Sequence, residues 1–347
     1  MLVAINDEGN CQASSLPSLN MKCMSKRPGT VTSGTLGTLC DILYKGGCEM
    51  NFKRLTEEIF SLYTKEKYNQ ALEIVQKAKS EYPEKLHKTS YWAACLYNKL
   101  NRHSEAIDEL KNTFNKGFWW APKLLKEDPD LELLNNKNEF EELISKCKKL
   151  RDERQSNAKS KLKVITPENK KNINYPLIII LHGRNGNIKE FSKYWDIPYL
   201  RDDYLLAFLQ SSQVFGMNSY CWDDIELAKK EVIEQYNNLV QNYNVDTNNI
   251  IIAGVSQGGR LAIQLALERN IFCGFIGVIP AIPDVDKHIE LMNNSEKSNM
   301  KGVMITGDND RYYPKVKQLY KRMNELDYPI KLIPEKGMGH YISDKFP

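Results

Sequence analysis

Ile250-Ile251-Ile252-Ala253-Gly254-Val255-Ser256-Gln257-Gly258-Gly259-Arg260 is the stretch on which the reading of this chain turns. Its first four residues form a continuous apolar run, as in a strand buried on both faces. From Arg260 to Glu268, with Leu261, Ala262, Leu265 and Ala266 at helical spacing, the pattern is that of an amphipathic helix. Ser256 stands between the two, with glycines two residues before and two after it. A serine at the tip of so sharp a turn has a strained backbone. The glycines leave room for the neighbouring chain, and the hydroxyl is lifted clear of the sheet. Gly-x-Ser-x-Gly alone is a weak pattern, and its competing reading is a glycine-rich turn with an incidental serine.

A serine hydroxyl is a poor nucleophile at neutral pH and needs a neutral imidazole to take its proton. The chain has five histidines, and His87, His103, His182 and His288 precede the point where the last crossover of such a fold would end. That leaves His340, in the loop Glu335-Lys336-Gly337-Met338-Gly339-His340 after the short strand Ile330 to Ile333. The acid that orients this imidazole should sit just past a buried strand between Ser256 and His340. Gly302 to Thr306 is such a strand, and Gly307-Asp308-Asn309-Asp310 follows it. Two aspartates compete there, Asp308 having a turn-forming alternative because Asp bonds its own backbone in loops.

Charge that develops on a carbonyl oxygen must be met by two backbone amides. The amide of Gln257 is one candidate. Arg184 offers the other, in the turn His182-Gly183-Arg184-Asn185-Gly186 that ends the aliphatic run Pro176 to Leu181. His182 reads as a buried histidine that orients this turn. Trp222 and Phe215 are candidates to line the acyl side, with ordinary packing as the alternative. Only about twenty residues separate the strand Ile276 to Pro280 from the strand at Gly302, too few for an inserted helical lid. An open site for short or solvent-exposed acyl groups is expected.

These residues resemble the alpha/beta-hydrolase superfamily, and within it the phospholipase/carboxylesterase branch that includes acyl-protein thioesterases. The resemblance rests on Leu-His-Gly at 181–183, Trp222-Asp223-Asp224-Ile225, Gly-Val-Ser-Gln-Gly-Gly at 254–259, Gly-Asp-Asn-Asp at 307–310 and Gly-His at 339–340, and covers about residues 161–347. It implies a mostly parallel sheet flanked by helices. It also implies a serine carboxylesterase or thioesterase working through an acyl-serine, with no cofactor and no metal, in which Ser256, His340 and an acid share the chemistry. Asp310 is preferred over Asp308 because Gly-Asp-x-Asp with Pro314 four residues on matches the acid loop of small esterases. The chain departs from the thioesterases at Arg184-Asn185-Gly186-Asn187, where they carry an apolar residue and then Gly-Asp. That departure bears on substrate preference more than on chemistry.

Residues 50–157 are charged, poor in glycine and helical in period. Tyr68-x-x-Ala71-Leu72, with Ala78 and Pro83, recurs as His103-x-x-Ala106-Ile107, 35 residues on; a tetratricopeptide repeat spans about 34. The segment resembles tetratricopeptide repeats, with Thr113 in place of Ala78 and Gly117 in place of the proline. A third segment, from Trp119-Trp120-Ala121-Pro122 through Phe140, reads as the closing unit of an array that needs about three units for a continuous core. Trp119 and Trp120 are read as packing, with a peptide platform as the alternative. Lys146 to Lys163 reads as a solvated helix end and linker into a hydrolase domain over 158–347.

Residues 1–49 show no sustained periodicity and are expected to be disordered. Lys45-Gly46-Gly47 back-translates to a purine-rich ribosome-binding site ahead of Met50, which makes Met50 the native start if the source is bacterial. With 48 basic and 44 acidic residues the net charge is +4, which points away from nucleic acid. Cys95, Cys147, Cys221 and Cys273 lack metal-site or disulfide spacing and read as reduced thiols. No secretory pattern or long apolar run is present, so a cytoplasmic location is expected. The expected partners are a small ester or thioester substrate and a protein or peptide held by the repeats. Two other functions stay open: an interaction module on a catalytically weak hydrolase scaffold, and a serine peptidase.

Overall fold

The computed structural model of the chain describes residues 52, 54–167, 174–195, 197–294 and 300–342. The leader and the start at Met50 lie outside them. The described residues divide into two units, one ending at Lys116 and one beginning at Gly117.

The first unit is helical. Helix α1 covers residues 54–64, followed by α2 (Tyr68–Glu81), α3 (Leu86–Lys99) and α4 (His103–Asn115). Pro83 opens a short 3-10 turn that ends α2, because proline cannot continue the helix hydrogen bonding. The 35-residue spacing carries a buried face: Ala71, Leu72 and Ala78 are buried in α2, and Ala106, Ile107 and Thr113 in α4. Where the second copy has Thr113, its hydroxyl donates to Ser90 Oγ of α3 at 2.8 Å. The Lys79 ammonium ties α2 to α4 through Glu109 at 2.6 Å.

The second unit begins with two helices that precede the sheet, α5 (Pro122–Glu127) and α6 (Asn138–Gln155). The expected domain boundary at residue 157 therefore lies inside this unit. Gln155 shows why: its Oε1 accepts from the Val214 amide at 2.8 Å and its Nε2 donates to the Ser212 carbonyl at 3.0 Å. Trp119 and Trp120 are 5% and 4% exposed, spent on packing.

Strand β1 (Lys161–Ile165) follows, within the expected hydrolase domain and beginning in the last residues read as linker, then β2 (Tyr175–Leu181), α7 (Ile188–Phe191), α8 (Pro198–Asp203) and β3 (Leu205–Gln210). A hairpin of β4 (Val214–Gly216) and β5 (Ser219–Tyr220) leads to α9 (Ile225–Asn242), β6 (Val245–Val255) and α10 (Gln257–Glu268). The chain continues with β7 (Gly274–Val278), α11 (Asp286–Asn294), β8 (Lys301–Gly307), α12 (Tyr313–Glu325) and β9 (Ile330–Glu335). The seven-stranded sheet runs β1-β3-β2-β6-β7-β8-β9. Only β1 is antiparallel to its neighbour.

The aliphatic runs are continuous because both faces of the sheet are covered. Leu177, Ile179 and Leu181 join one hydrophobic core while Ile178 and Ile180 of the same strand join another, as the two-residue period of a strand requires. The parallel strands all deliver their C-terminal ends to one edge, which gathers the turns after β2, β6, β8 and β9. Among the described residues no helix is long and apolar enough to cross a membrane.

Candidate active site

Ser256 sits between β6 and α10 with φ 53° and ψ −113°, a left-handed backbone that costs a non-glycine residue roughly 1–3 kcal/mol. Tertiary contacts hold it there. The Ser256 amide donates to Val278 O, and its carbonyl accepts from Ala281 N, both at 2.9 Å. The flanking glycines are required by close approach: a Cβ on Gly258 would lie 2.4 Å from the His182 carbonyl oxygen, and one on Gly254 would lie 2.4 Å from Gly258 backbone.

The structure brings Ser256, His340 and Asp310 together. Ser256 Oγ lies 2.7 Å from His340 Nε2, and His340 Nδ1 lies 2.8 Å from Asp310 Oδ2. Asp310 is 3% exposed, and its other oxygen accepts from the Tyr312 amide at 2.9 Å. The Tyr312 ring meets the His340 ring edge-on, 5.1 Å between centroids. Asp308 instead accepts from the Gly337 amide at 2.6 Å. It fastens the histidine loop without reaching the imidazole. The loop also crosses the end of β8 so closely that a Cβ on Gly307 would meet the Met338 carbonyl oxygen at 1.9 Å.

On the opposite side of Ser256, the turn after β2 approaches the nucleophile. A Cβ on Gly183 would lie 3.4 Å from that of Ser256. The amide of Gln257 opens α10, where the first N–H groups have no intrahelical acceptor, and the Arg184 amide lies in the turn. Among the described residues the Arg184 amide donates to no backbone carbonyl. The Gln257 amide likewise donates to no backbone carbonyl among the described residues.

His182 is fully buried, and burial lowers its pKa to about 4. Its Nδ1 faces the Gly183 carbonyl at 2.7 Å, so Nδ1 carries the proton, and Nε2 accepts from the Ser211 amide at 3.4 Å. This neutral imidazole fixes the turn. Trp222 has no exposed surface: its ring stacks on His182 at 4.8 Å and its Nε1 donates to the His182 carbonyl at 2.8 Å. It therefore braces the turn after β2 from behind and has no surface with which to line an acyl site. Phe215, 8% exposed, lies beneath the Arg184 guanidinium at 5.6 Å.

Asp223 is the residue whose role went unread in the sequence. One of its oxygens accepts from Gln257 Nε2 at 2.7 Å and from Arg184 Nε at 3.2 Å. The other lies 3.6 Å from the Lys123 ammonium of α5. Burial by itself would raise the Asp223 carboxyl, but hydrogen bonds from Arg184 and Gln257 and the charges of Arg184 and Lys123 hold it below the usual range. No local pattern marks such a residue, whose partners stand 34 and 39 positions away.

Comparison with known proteins adds the following. No curated protein matches the chain. Among solved structures, an uncharacterized protein from Bacillus cereus ATCC 10987 is 25% identical, covering 85% of this chain and 94% of its own, with a TM-score of 0.47. Esterase PE8 is 17% identical over 54% of this chain and 93% of its own, TM-score 0.47. A phospholipase/carboxylesterase from Dyadobacter fermentans DSM 18053 is 15% identical over 54% and 92%, TM-score 0.42. Residues 51–159 match the family described as A/B hydrolase-like, N-terminal domain, a span that crosses the division at Gly117. The described part of the second unit has the mostly parallel sheet flanked by helices of an α/β hydrolase, and the chain ahead of that sheet is similar to the N-terminal domain of A/B hydrolase-like proteins.

Proposed function

We propose that the chain is a serine hydrolase of carboxylic esters or thioesters. The observation that carries this reading is the continuous relay from Ser256 Oγ to His340 Nε2 at 2.7 Å and from His340 Nδ1 to Asp310 at 2.8 Å.

In the reaction, Ser256 Oγ attacks the carbonyl carbon while its proton passes to His340 Nε2. The oxyanion that forms is met by the amides of Gln257 and Arg184, neither of which donates to a backbone carbonyl among the described residues. His340 then gives its proton to the departing alcohol or thiol, the bond from the carbonyl carbon to the leaving oxygen or sulfur breaks, and an acyl-serine remains. Water attacks this ester with His340 again accepting a proton. Ser256 is regenerated, and the carboxylic acid leaves. Asp310, buried and held by the Tyr312 amide, keeps the His340 proton on Nδ1 and stabilises the transient imidazolium.

Ser256→Ala is expected to abolish p-nitrophenyl acetate turnover and fluorophosphonate labelling while the protein stays folded by circular dichroism. Persistence of either activity in that variant removes Ser256 from the mechanism.

A further inference from the structure

The relay uses no residue of α10 beyond Gln257, yet Arg260 lies four residues after Ser256, with its amide on the Ser256 carbonyl at 3.0 Å. Helical side chains lean towards the N-terminus of their own helix. That tilt carries the Arg260 side chain back towards the serine turn. Its Nε has essentially no exposed surface and no hydrogen-bond partner. Among the described residues the guanidinium joins no ion pair.

Of the nearby carboxylates, Asp310 faces His340, Asp223 is shared between Arg184 and Lys123, and the exposed Asp284 acts on His288. His288 of α11, 1% exposed, adds no further positive charge, because burial, with the positive charge of Arg260 beside it, lowers its pKa to about 4. Arg260 itself is pulled below its ordinary value by burial and by the charge of Arg184, with weaker opposing effects from Tyr312 and Asp223. Arg184 lies in the turn after β2 and Tyr312 against the His340 ring, the two segments that approach Ser256. A guanidinium stays charged in proteins, and a partly desolvated charge without a partner is costly. Arg184 and Lys123 already share the carboxylate of Asp223, and among the described residues Arg260 pairs with none. The neighbourhood of Ser256 is short of negative charge.

We propose that Arg260, with Arg184, forms an anion subsite beside Ser256, and that the substrates are esters or thioesters bearing a carboxylate close to the scissile carbonyl. This rests on the serine-hydrolase reading above. Arg is suited to the task because its planar fork pairs with a carboxylate through two parallel hydrogen bonds.

Two matched ester pairs test the subsite and locate the anion. Mono-4-nitrophenyl succinate against its methyl ester places the charge on the acyl side; 4-carboxyphenyl acetate against its methyl ester places it on the leaving group. With rates normalised to hydroxide hydrolysis, kcat/KM for the full chain is expected to favour the anionic member of one pair by about tenfold or more. Arg260→Gln should lower that ratio by about tenfold, and Arg260→Lys, which keeps the charge, should retain most of it. A ratio is unaffected by a partial loss of folded enzyme. Fluorophosphonate labelling run alongside separates two failures. Labelled protein with no anionic preference, or with a preference that survives Arg260→Gln, overturns the subsite alone. Unlabelled protein that turns over none of the four esters overturns the parent reading with it.

Discussion

The two sides of Ser256 are built by different means. On the histidine side, Asp308, Asp310 and His340 follow the ends of β8 and β9, which pair in register up to Gly307 and Glu335. Loop contacts finish the alignment: Gly337 N to the Asp308 carboxylate, Asn309 N to Met338 O at 3.0 Å, and the close crossing at Gly307. On the oxyanion side, the turn after β2 and the first turn of α10 are joined by the side chain of Asp223, which comes from a third segment. One side inherits its geometry from strand pairing, the other from a charged hub. The first should tolerate loss of its peripheral carboxylate, and the second should respond strongly to loss of its central one.

The largest effect is expected where the relay itself is cut. Asp310→Asn should lower kcat by about 10⁴-fold, whereas Asp308→Asn, which touches only the loop amide of Gly337, should cost less than about tenfold in the same assay. Comparable losses in the two variants would show that the loop, and not the imidazole partner, governs the histidine side.

A stability effect comes next, from the buried imidazole under the oxyanion turn. The unfolded chain takes up this proton near the ordinary histidine value of 6.5, the folded His182 only near 4. Between those values the unfolded state binds more protons, so stability falls as pH falls. Urea titrations across this window should show a loss of about 3 kcal/mol from His182, and replacing His182 by Asn should flatten that part of the profile. An equally steep profile in the variant would assign the pH response to other groups, such as His288, likewise held near 4 by burial.

Removing the hub should act on catalysis rather than binding. Asp223→Ala frees Arg184 and leaves the Gln257 side chain only the Trp222 amide, and kcat on the neutral ester p-nitrophenyl acetate should fall by about 10²-fold, the usual cost of a lost oxyanion donor, with KM changed far less. A purely structural role would instead lower the amount of active enzyme, read by fluorophosphonate titration, and leave kcat per active site intact. The smallest effect belongs to the rim. Lys123 is 47% exposed and its ion pair with Asp223 is long at 3.6 Å, so Lys123→Ala should cost under about 1 kcal/mol in stability and leave kcat within about twofold.

The elements that were readable in the sequence are those whose neighbours in the chain impose their chemistry. The run at 250–253, the glycines around Ser256 and the helix that follows appear as β6, the serine turn and α10, because a tight turn between a buried strand and a helix leaves a local signature. Strand β3 did not stand out, since six consecutive buried residues, Leu205 to Gln210, carry no alternation to distinguish a strand from a buried helix. Strand β1 was hidden by Lys161 and Lys163, whose outward positions on an edge strand look like linker charge in one dimension. The segment Trp119 to Phe140 reads in one dimension as the closing unit of the helical region, and the family match to residues 51–159 ends next to the expected boundary at 157; the hydrogen bonds of Gln155 to Ser212 and Val214, across 57 and 59 positions, are visible only in the fold.

By itself, the sequence determined the strand, turn and helix around Ser256, the small set of residues that compete for base and acid, and a helical segment ahead of a parallel sheet. Local periodicity and turn chemistry are enough for that. Only the tertiary structure decided between Asp308 and Asp310, turned Trp222 from a candidate wall into a buried brace, and made Asp223 the common partner of Arg184 and Gln257. Those outcomes depend on distances between side chains far apart in the chain, which close packing alone sets. The unmatched charge of Arg260 became visible for the same reason.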